Sequence, residues 1–144
     1  MAAEGAIFGM IYVMYGTVSI SLRLPDGRLI MQRRDAGAPT SPSLLGFFGG
    51  HIEKGEDALT AAYRELHEET SLPDSLDLLS ITSLSIPSPH NDGSSQLFHL
   101  FQTNIMDETI RVYEGTGFEV YSIEELKARL DLTFTARHLL PFLK

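Results

Sequence analysis

Glu65, Glu68 and Glu69 lie within five consecutive residues, with Arg64 immediately before them. If residues 57–70 are helical, the three acids stand at i, i+3 and i+4 and project from one face. Two carboxylates about 4 Å apart repel by roughly 4 kcal/mol at an effective dielectric near 20, a load that a domain stable by about 5–15 kcal/mol cannot carry several times over. A cation sharing their volume relieves that repulsion. A cluster of oxygen ligands suits a hard divalent ion such as magnesium or manganese, and magnesium leaves positions open for water and phosphate oxygens. The competing reading is a solvated acidic helix in which Arg64 and Glu68 form an i, i+4 ion pair, as most charge runs do.

The helix has to be anchored if it is to aim these acids. Leu59, Ala62, Tyr63 and Leu66 follow the 3.6-residue period on a neighbouring face, so the spacing predicts a helix that packs through these four and presents its carboxylates to a cleft. Before it, Phe47-Phe48-Gly49-Gly50 reads as a short strand and a glycine turn where the backbone can approach a ligand closely. After it, Pro73 stops the helix.

Taken together, Gly50, Glu56, Arg64, Glu65, Leu66, Glu68, Glu69, Ser71 and Leu72 form one ungapped pattern. It resembles the Nudix box: glycine, five residues, glutamate, seven residues, Arg-Glu, an aliphatic, any residue, Glu-Glu, any residue, glycine, an aliphatic. Only Ser71 departs, standing where the box has glycine. A glycine just past a helix end usually supplies a left-handed cap, so serine there is expected to cost on the order of 1 kcal/mol without loss of a metal ligand.

The resemblance implies an α/β fold, an α/β/α sandwich with a mixed, curved sheet between the box helix and C-terminal helices. It implies divalent-metal-dependent hydrolysis of a nucleoside diphosphate linked to another moiety, such as a nucleoside triphosphate, oxidised forms included, or a nucleotide sugar. Glu65, Glu68 and Glu69 would hold Mg2+ (or Mn2+) with the backbone carbonyl of Gly49, Arg64 would orient the glutamates through ion pairs, and Glu56 would brace loop and helix. In several members a glutamate from a distal loop serves as general base. Glu114 is the candidate, because Gly115 and Gly117 make its loop mobile, whereas Glu108 sits in a turn and Glu119 in a strand; Glu65 is the fallback. A non-catalytic Nudix-fold sensor of nucleotides or sugar nucleotides is the alternative, although such proteins often lose box acids that this chain keeps. A diphosphate isomerase of the same fold usually needs a cysteine, and there is none.

Composition bounds the partners. The chain has 144 residues, 43% of them hydrophobic, and no long polar tract, which fits one domain over residues 1–144 with a core of its own. The absence of cysteine excludes disulfides and thiolate sites and is compatible with a cytoplasmic location. The apolar run 6–15 is too short to span a bilayer and lacks signal-peptide features, so neither anchor nor leader is expected. A net charge of −8 disfavours nucleic acid polymers as partners but admits a small diphosphate delivered with a metal ion. A homodimer is left open.

In chain order, strands are expected at 7–14, 17–24 and 28–34, with Pro25-Asp26-Gly27 as a turn. Arg33 and Arg34 leave the third strand near the box; each reads equally as a phosphate contact or a solvated strand end, and Arg34 is the preferred phosphate ligand. Residues 35–43 read as a mobile loop lining the entrance. Further strands are expected at 76–86, 96–105 and 118–121, then a helix capped by Ser122 and Glu125 and an amphipathic segment 134–140 that buries Phe134, Leu139 and Leu140. His90 and His99 lack metal-ligand spacing. Phe47, Phe48, Phe98 and Tyr121 are candidates to stack on a base, though aromatics at strand spacing are more often core.

Overall fold

The computed structural model describes residues 16–87 and 93–144. The expected strand at 7–14 and His90 lie outside them. Among the described residues seven strands form one sheet: β1 (Thr17–Arg23), β2 (Leu29–Arg33), β3 (Leu45–Gly46), β4 (Phe48–His51), β5 (Leu79–Pro87), β6 (Ser95–Asn104) and β7 (Phe118–Tyr121). The sheet is mixed, since β1 runs parallel to β6 while the other pairs are antiparallel. One edge of β1 is divided, pairing with β4 through Thr17–Ile20 and with β2 beyond it at Leu22 and Arg23.

Period-two alternation sorts the sheet's side chains onto two faces. Val18, Ile20, Leu22, Ile30 and Phe48 form one core with helix α1 (Ala58–Glu69). Leu29, Met31, Leu45, Phe98 and Leu100 form another with the C-terminal elements α2 (Ile123–Lys127) and α3 (Phe134–Leu139). The result is the expected α/β/α arrangement. Ser122 and Glu125 make the capping box at α2, each side chain bonding the other's backbone N–H. No helix among the described residues is long and apolar enough to cross a membrane.

Local departures have physical causes. The face α1 buries is centred on Ala61, Ala62 and Leu66, so Leu59 is 44% exposed rather than core. Tyr63 is half-buried, with its hydroxyl donating to the Leu76 carbonyl at 2.8 Å. The strand expected at 76–86 begins only at Leu79, because Pro73–Leu76 closes a turn first. Phe134 is half-buried beside Leu139 and Leu140, which are buried. The paired glycines lie within β4 rather than in a turn, Gly49 opposite Ser19 and Gly50 opposite Val18.

Ser71 needs no left-handed cap. α1 ends on Thr70 in an extended conformation, whose hydroxyl bonds the Leu66 carbonyl, and Ser71 is not among the residues at positive φ. The expected cost of serine therefore does not arise.

Candidate active site

Asp57 caps α1, accepting from Thr60 N–H at 2.8 Å, and the helix then carries its acids along the β4 glycines. At Gly50 there is no room for a side chain: a Cβ would fall 2.4 Å from Glu65 Oε2. At Gly49, where φ is +144°, a Cβ would strike the Val18 carbonyl at 2.0 Å. Both glycines are thus required by close approach. Gly50 lets the Glu65 carboxyl lie directly on the backbone, and Gly49 lets β4 lie close against β1.

Glu69 is 4% exposed, and its carboxylate accepts from Gly49 N–H at 3.0 Å. Burial pushes its pKa up to about 8 against that hydrogen bond, with the charges of Glu65 and Glu114 adding to the rise. Burial also raises Glu65, which Arg64 only partly offsets, and the two carboxyls are within hydrogen-bonding reach of each other. Glu68, by contrast, is 51% exposed and turned to Arg64 at 3.3 Å.

Arg64 joins the box into one unit. It grips Glu56 through Nε at 2.6 Å and Nη2 at 2.9 Å, Glu65 through Nη1 at 3.0 Å, and the His51 carbonyl at 3.0 Å. Its hydrogen bonds pull Glu56 down to about 2, and Glu56 in turn accepts from Glu53 N–H at 2.9 Å. Glu56 therefore braces loop and helix as expected.

The donor set suits a hard cation. Glu69 is buried and Glu65 half-buried, only one N–H and one shared guanidinium favour their charged forms, and a divalent ion would satisfy both as carboxylates. Among the described residues no three acids converge on one point as in a preformed cage. Gly49 contributes its N–H to Glu69 in this arrangement.

Glu114 sits close enough to raise Glu69 electrostatically. Its loop is fastened rather than mobile. Tyr113 N–H donates to the Glu69 carbonyl at 2.8 Å, Gln32 Nε2 to the Glu114 carbonyl at 3.3 Å, and Thr116 N–H to the Arg33 carbonyl at 3.0 Å. Glu108 and Glu119 are engaged elsewhere, with Arg28 and Arg33 respectively.

The two arginines expected near the box separate. Arg33 is committed to Glu119 at 2.7 and 2.8 Å, to Asp131 at 2.9 Å and to the Ser43 carbonyl at 3.0 Å. Among the described residues the Arg34 side chain bonds within its loop, to the carbonyl and hydroxyl of Thr40, and Arg34 lines both neighbouring cavities. One, of about 440 Å³, is polar and includes Gln32, Arg34, Tyr113 and Glu114. The other, of about 550 Å³, runs from Gly49 and Gly50 over Phe47, Phe98 and Phe134, with Gln96 beside them.

Of the aromatic candidates, Phe47 and Phe98 line the larger cavity. Phe48 is fully buried in the α1 core, and Tyr121 lies under the Arg129 guanidinium at 4.4 Å. Phe134, expected in the core, and Gln96, for which the sequence carries no signal, line the larger cavity as well, Gln96 from β6 and Phe134 from the start of α3. His99 bonds Ser83 at 2.7 Å, and burial lowers its pKa. The loop at 35–43 supplies Pro39, Thr40 and Ser41 to the cavity wall and is folded back on Asp35, which accepts from Ala38 and Ser43.

The NUDIX domain profile matches residues 15–143, so the chain belongs to that family. Among solved structures it is similar to DR0079 of Deinococcus radiodurans, with a TM-score of 0.74, 25% identity, and 87% of this chain and 80% of that one covered. It is also similar to the E. coli dihydroneopterin triphosphate pyrophosphohydrolase, with a TM-score of 0.70, 17% identity, and coverage of 86% and 90%. A third likeness is to the NUDIX domain of Shewanella oneidensis NrtR, solved with ADP ribose, with a TM-score of 0.66, 16% identity, and coverage of 88% and 83%. No curated protein matches the sequence.

Proposed function

We propose that residues 1–144 act as one Nudix hydrolase domain, cleaving the phosphoanhydride of a nucleoside diphosphate linked to another moiety. The observation that carries this reading is the pairing of buried Glu69 with half-buried Glu65 beside the β4 glycines, with too little positive charge around the two to hold both as carboxylates. A fold that merely needed a helix there would gain by replacing the pair with apolar side chains.

Glu65, Glu68 and Glu69, with the Gly49 carbonyl, are the groups that would hold magnesium or manganese. A divalent ion bound there neutralises phosphate oxygens and lowers the pKa of a water. Arg64 fixes Glu65 in place and, by sharing Nη1 between Glu65 and Glu68, keeps the two acids on one side of the helix. Glu114 accepts the proton of the attacking water from the fastened loop opposite. Arg34, whose side chain bonds Thr40 rather than an acid among the described residues, receives a phosphate where the two cavities meet. The larger cavity takes the nucleoside portion, with Phe47, Phe98 and Phe134 offering ring faces. A cytoplasmic location suits such a substrate and a chain without cysteine.

The test is release of phosphate, pyrophosphate or nucleoside monophosphate from a panel of nucleoside triphosphates, nucleotide sugars and dinucleotides with magnesium. Turnover that EDTA abolishes and either Mg2+ or Mn2+ restores is the expected result. Binding of a panel member with no turnover under any cation would favour the sensor instead.

A further inference from the structure

We propose that Ser71, the one position where this chain leaves the Nudix box, is a positioning residue for Glu114; the proposal rests on Glu114 as the proton acceptor. Just past α1 the chain runs antiparallel to the segment leading into Glu114, with Thr70 opposite Val112. Tyr113 N–H bonds the Glu69 carbonyl at 2.8 Å, and Ser71 N–H bonds the Arg111 carbonyl at 3.0 Å. In a regular antiparallel pair the Arg111 N–H would return to the carbonyl of residue 71. Here it donates to the Ser71 hydroxyl at 2.9 Å instead. Serine thus supplies an acceptor that the family's glycine does not possess.

The location gives that bond a catalytic consequence. The far end of the segment is fixed to β2, where Thr116 N–H reaches the Arg33 carbonyl at 3.0 Å and Arg33 N–H reaches the Gly117 carbonyl at 3.1 Å. Gly115 packs so tightly there that a Cβ would fall 2.3 Å from the Arg33 carbonyl oxygen. Glu114 is therefore suspended between two anchors, one on β2 and one on the exit of the helix that carries Glu65 and Glu69. Ser71 makes two of the bonds in the second anchor. Since a base must sit within about 2.6–3.2 Å of the proton it takes, directly or through one water, slack in this anchor reaches the reaction itself.

Three substitutions read the contact. Ser71→Ala removes the hydroxyl but keeps the backbone bond, Ser71→Gly restores the family residue, and Ser71→Thr keeps an acceptor. Amide hydrogen exchange without metal or substrate measures the anchor directly: the Ala and Gly variants should lose about tenfold protection at Arg111, with Thr near the parent. With the best substrate of the panel at saturating magnesium, Ala and Gly should lower kcat about 3–10-fold at unchanged KM, and Thr should restore it. In a Glu114→Gln background Ser71→Ala should cost nothing further. Unchanged Arg111 protection in Ser71→Ala overturns the proposal, as does an equal loss of kcat with and without Glu114. Full activity of Glu114→Gln alone is a different failure: it removes the base assignment, and with it the catalytic consequence of the contact, whatever the exchange shows.

Discussion

Two arginines each gather several acids, Arg33 from residues 86 and 98 positions away and Arg64 from within its own stretch of chain, yet the groups around them are left in opposite electrostatic states. Around Arg33 the charges balance: Arg33 and Arg129 face Glu119 and Asp131, every acid is bonded, and hydrogen bonds from Arg33 and Tyr121 hold Glu119 down to about 2. The Arg129 and Arg33 guanidiniums likewise hold Asp131 well below the usual carboxylate range. Around Arg64 one cation serves Glu53, Glu56, Glu65 and Glu68, while Glu69, out of its reach, is pushed up to about 8 by burial. A satisfied network ties strands together. An unsatisfied one, supported on a rigid helix and a glycine-lined strand, is prepared for a charge that arrives with a ligand.

The sharpest way to break the comparison is to neutralise the excess on the Arg64 side. Glu69→Gln should lower kcat by about 10³-fold or more at limiting magnesium, with part of the loss recovered as magnesium is raised. Because burial already favours the neutral form of Glu69 and Gln is close to it in shape, the metal-free variant should melt no lower than the parent. Glu68→Gln should show the same kinetic pattern without the gain in stability, since Glu68 is half exposed. Parent-like turnover by both variants would make the acids a solvated face.

Glu114→Gln comes next, with kcat lowered by about 10²–10³-fold and substrate affinity changed much less. More magnesium should recover none of it, because added cation does not replace a proton acceptor. Near-normal kcat at saturating magnesium would move the base to Glu65.

Arg33→Met should act in the opposite sense. It takes the guanidinium hydrogen bonds from Glu119 while Asp131 keeps Arg129, and from their partial exposure the loss of stability should be about 1–3 kcal/mol, read by denaturant titration. The kcat of the folded fraction should stay within about threefold. A much larger loss of kcat than of stability would give Arg33 the role assigned to Arg34.

What was legible follows the range of the interactions. The box was readable because its acids, its arginine and its glycine fall in one ungapped stretch whose spacing the helix imposes. The layering of helices on both faces of the sheet came from the family resemblance, with which the strand and helix pattern merely agreed. The role of Arg33 was not readable, because its partners stand 86 and 98 residues away. Ser71 was misjudged for a related reason: a glycine rule about helix ends says nothing of a strand-like segment forty residues on that takes up the chain. Leu59 fell outside the core because the sheet meets α1 one residue around, at Ala61 and Ala62.

The smallest effect is also the one in which the two regions differ in sign. Glu69 titrates near 8 in the folded protein against an ordinary 4.5, so between those values the folded state holds the extra proton. Its contribution is fully present below about pH 4.5 and is lost as pH rises through about 8. Glu119, held at about 2, contributes fully above about pH 4.5 and loses that contribution as pH falls through about 2. Melting temperatures of the metal-free protein between pH 5 and 8 should therefore carry a downward slope that Glu69→Gln flattens and Glu119→Gln leaves in place. The deficit caused by Glu119→Gln should instead shrink only in acid. Saturating magnesium should remove the upper slope, since a bound cation favours the carboxylate that burial opposes. A slope that survives Glu69→Gln unchanged would mean that the box carries no excess charge, and the contrast between the two arginine clusters would fail at its root.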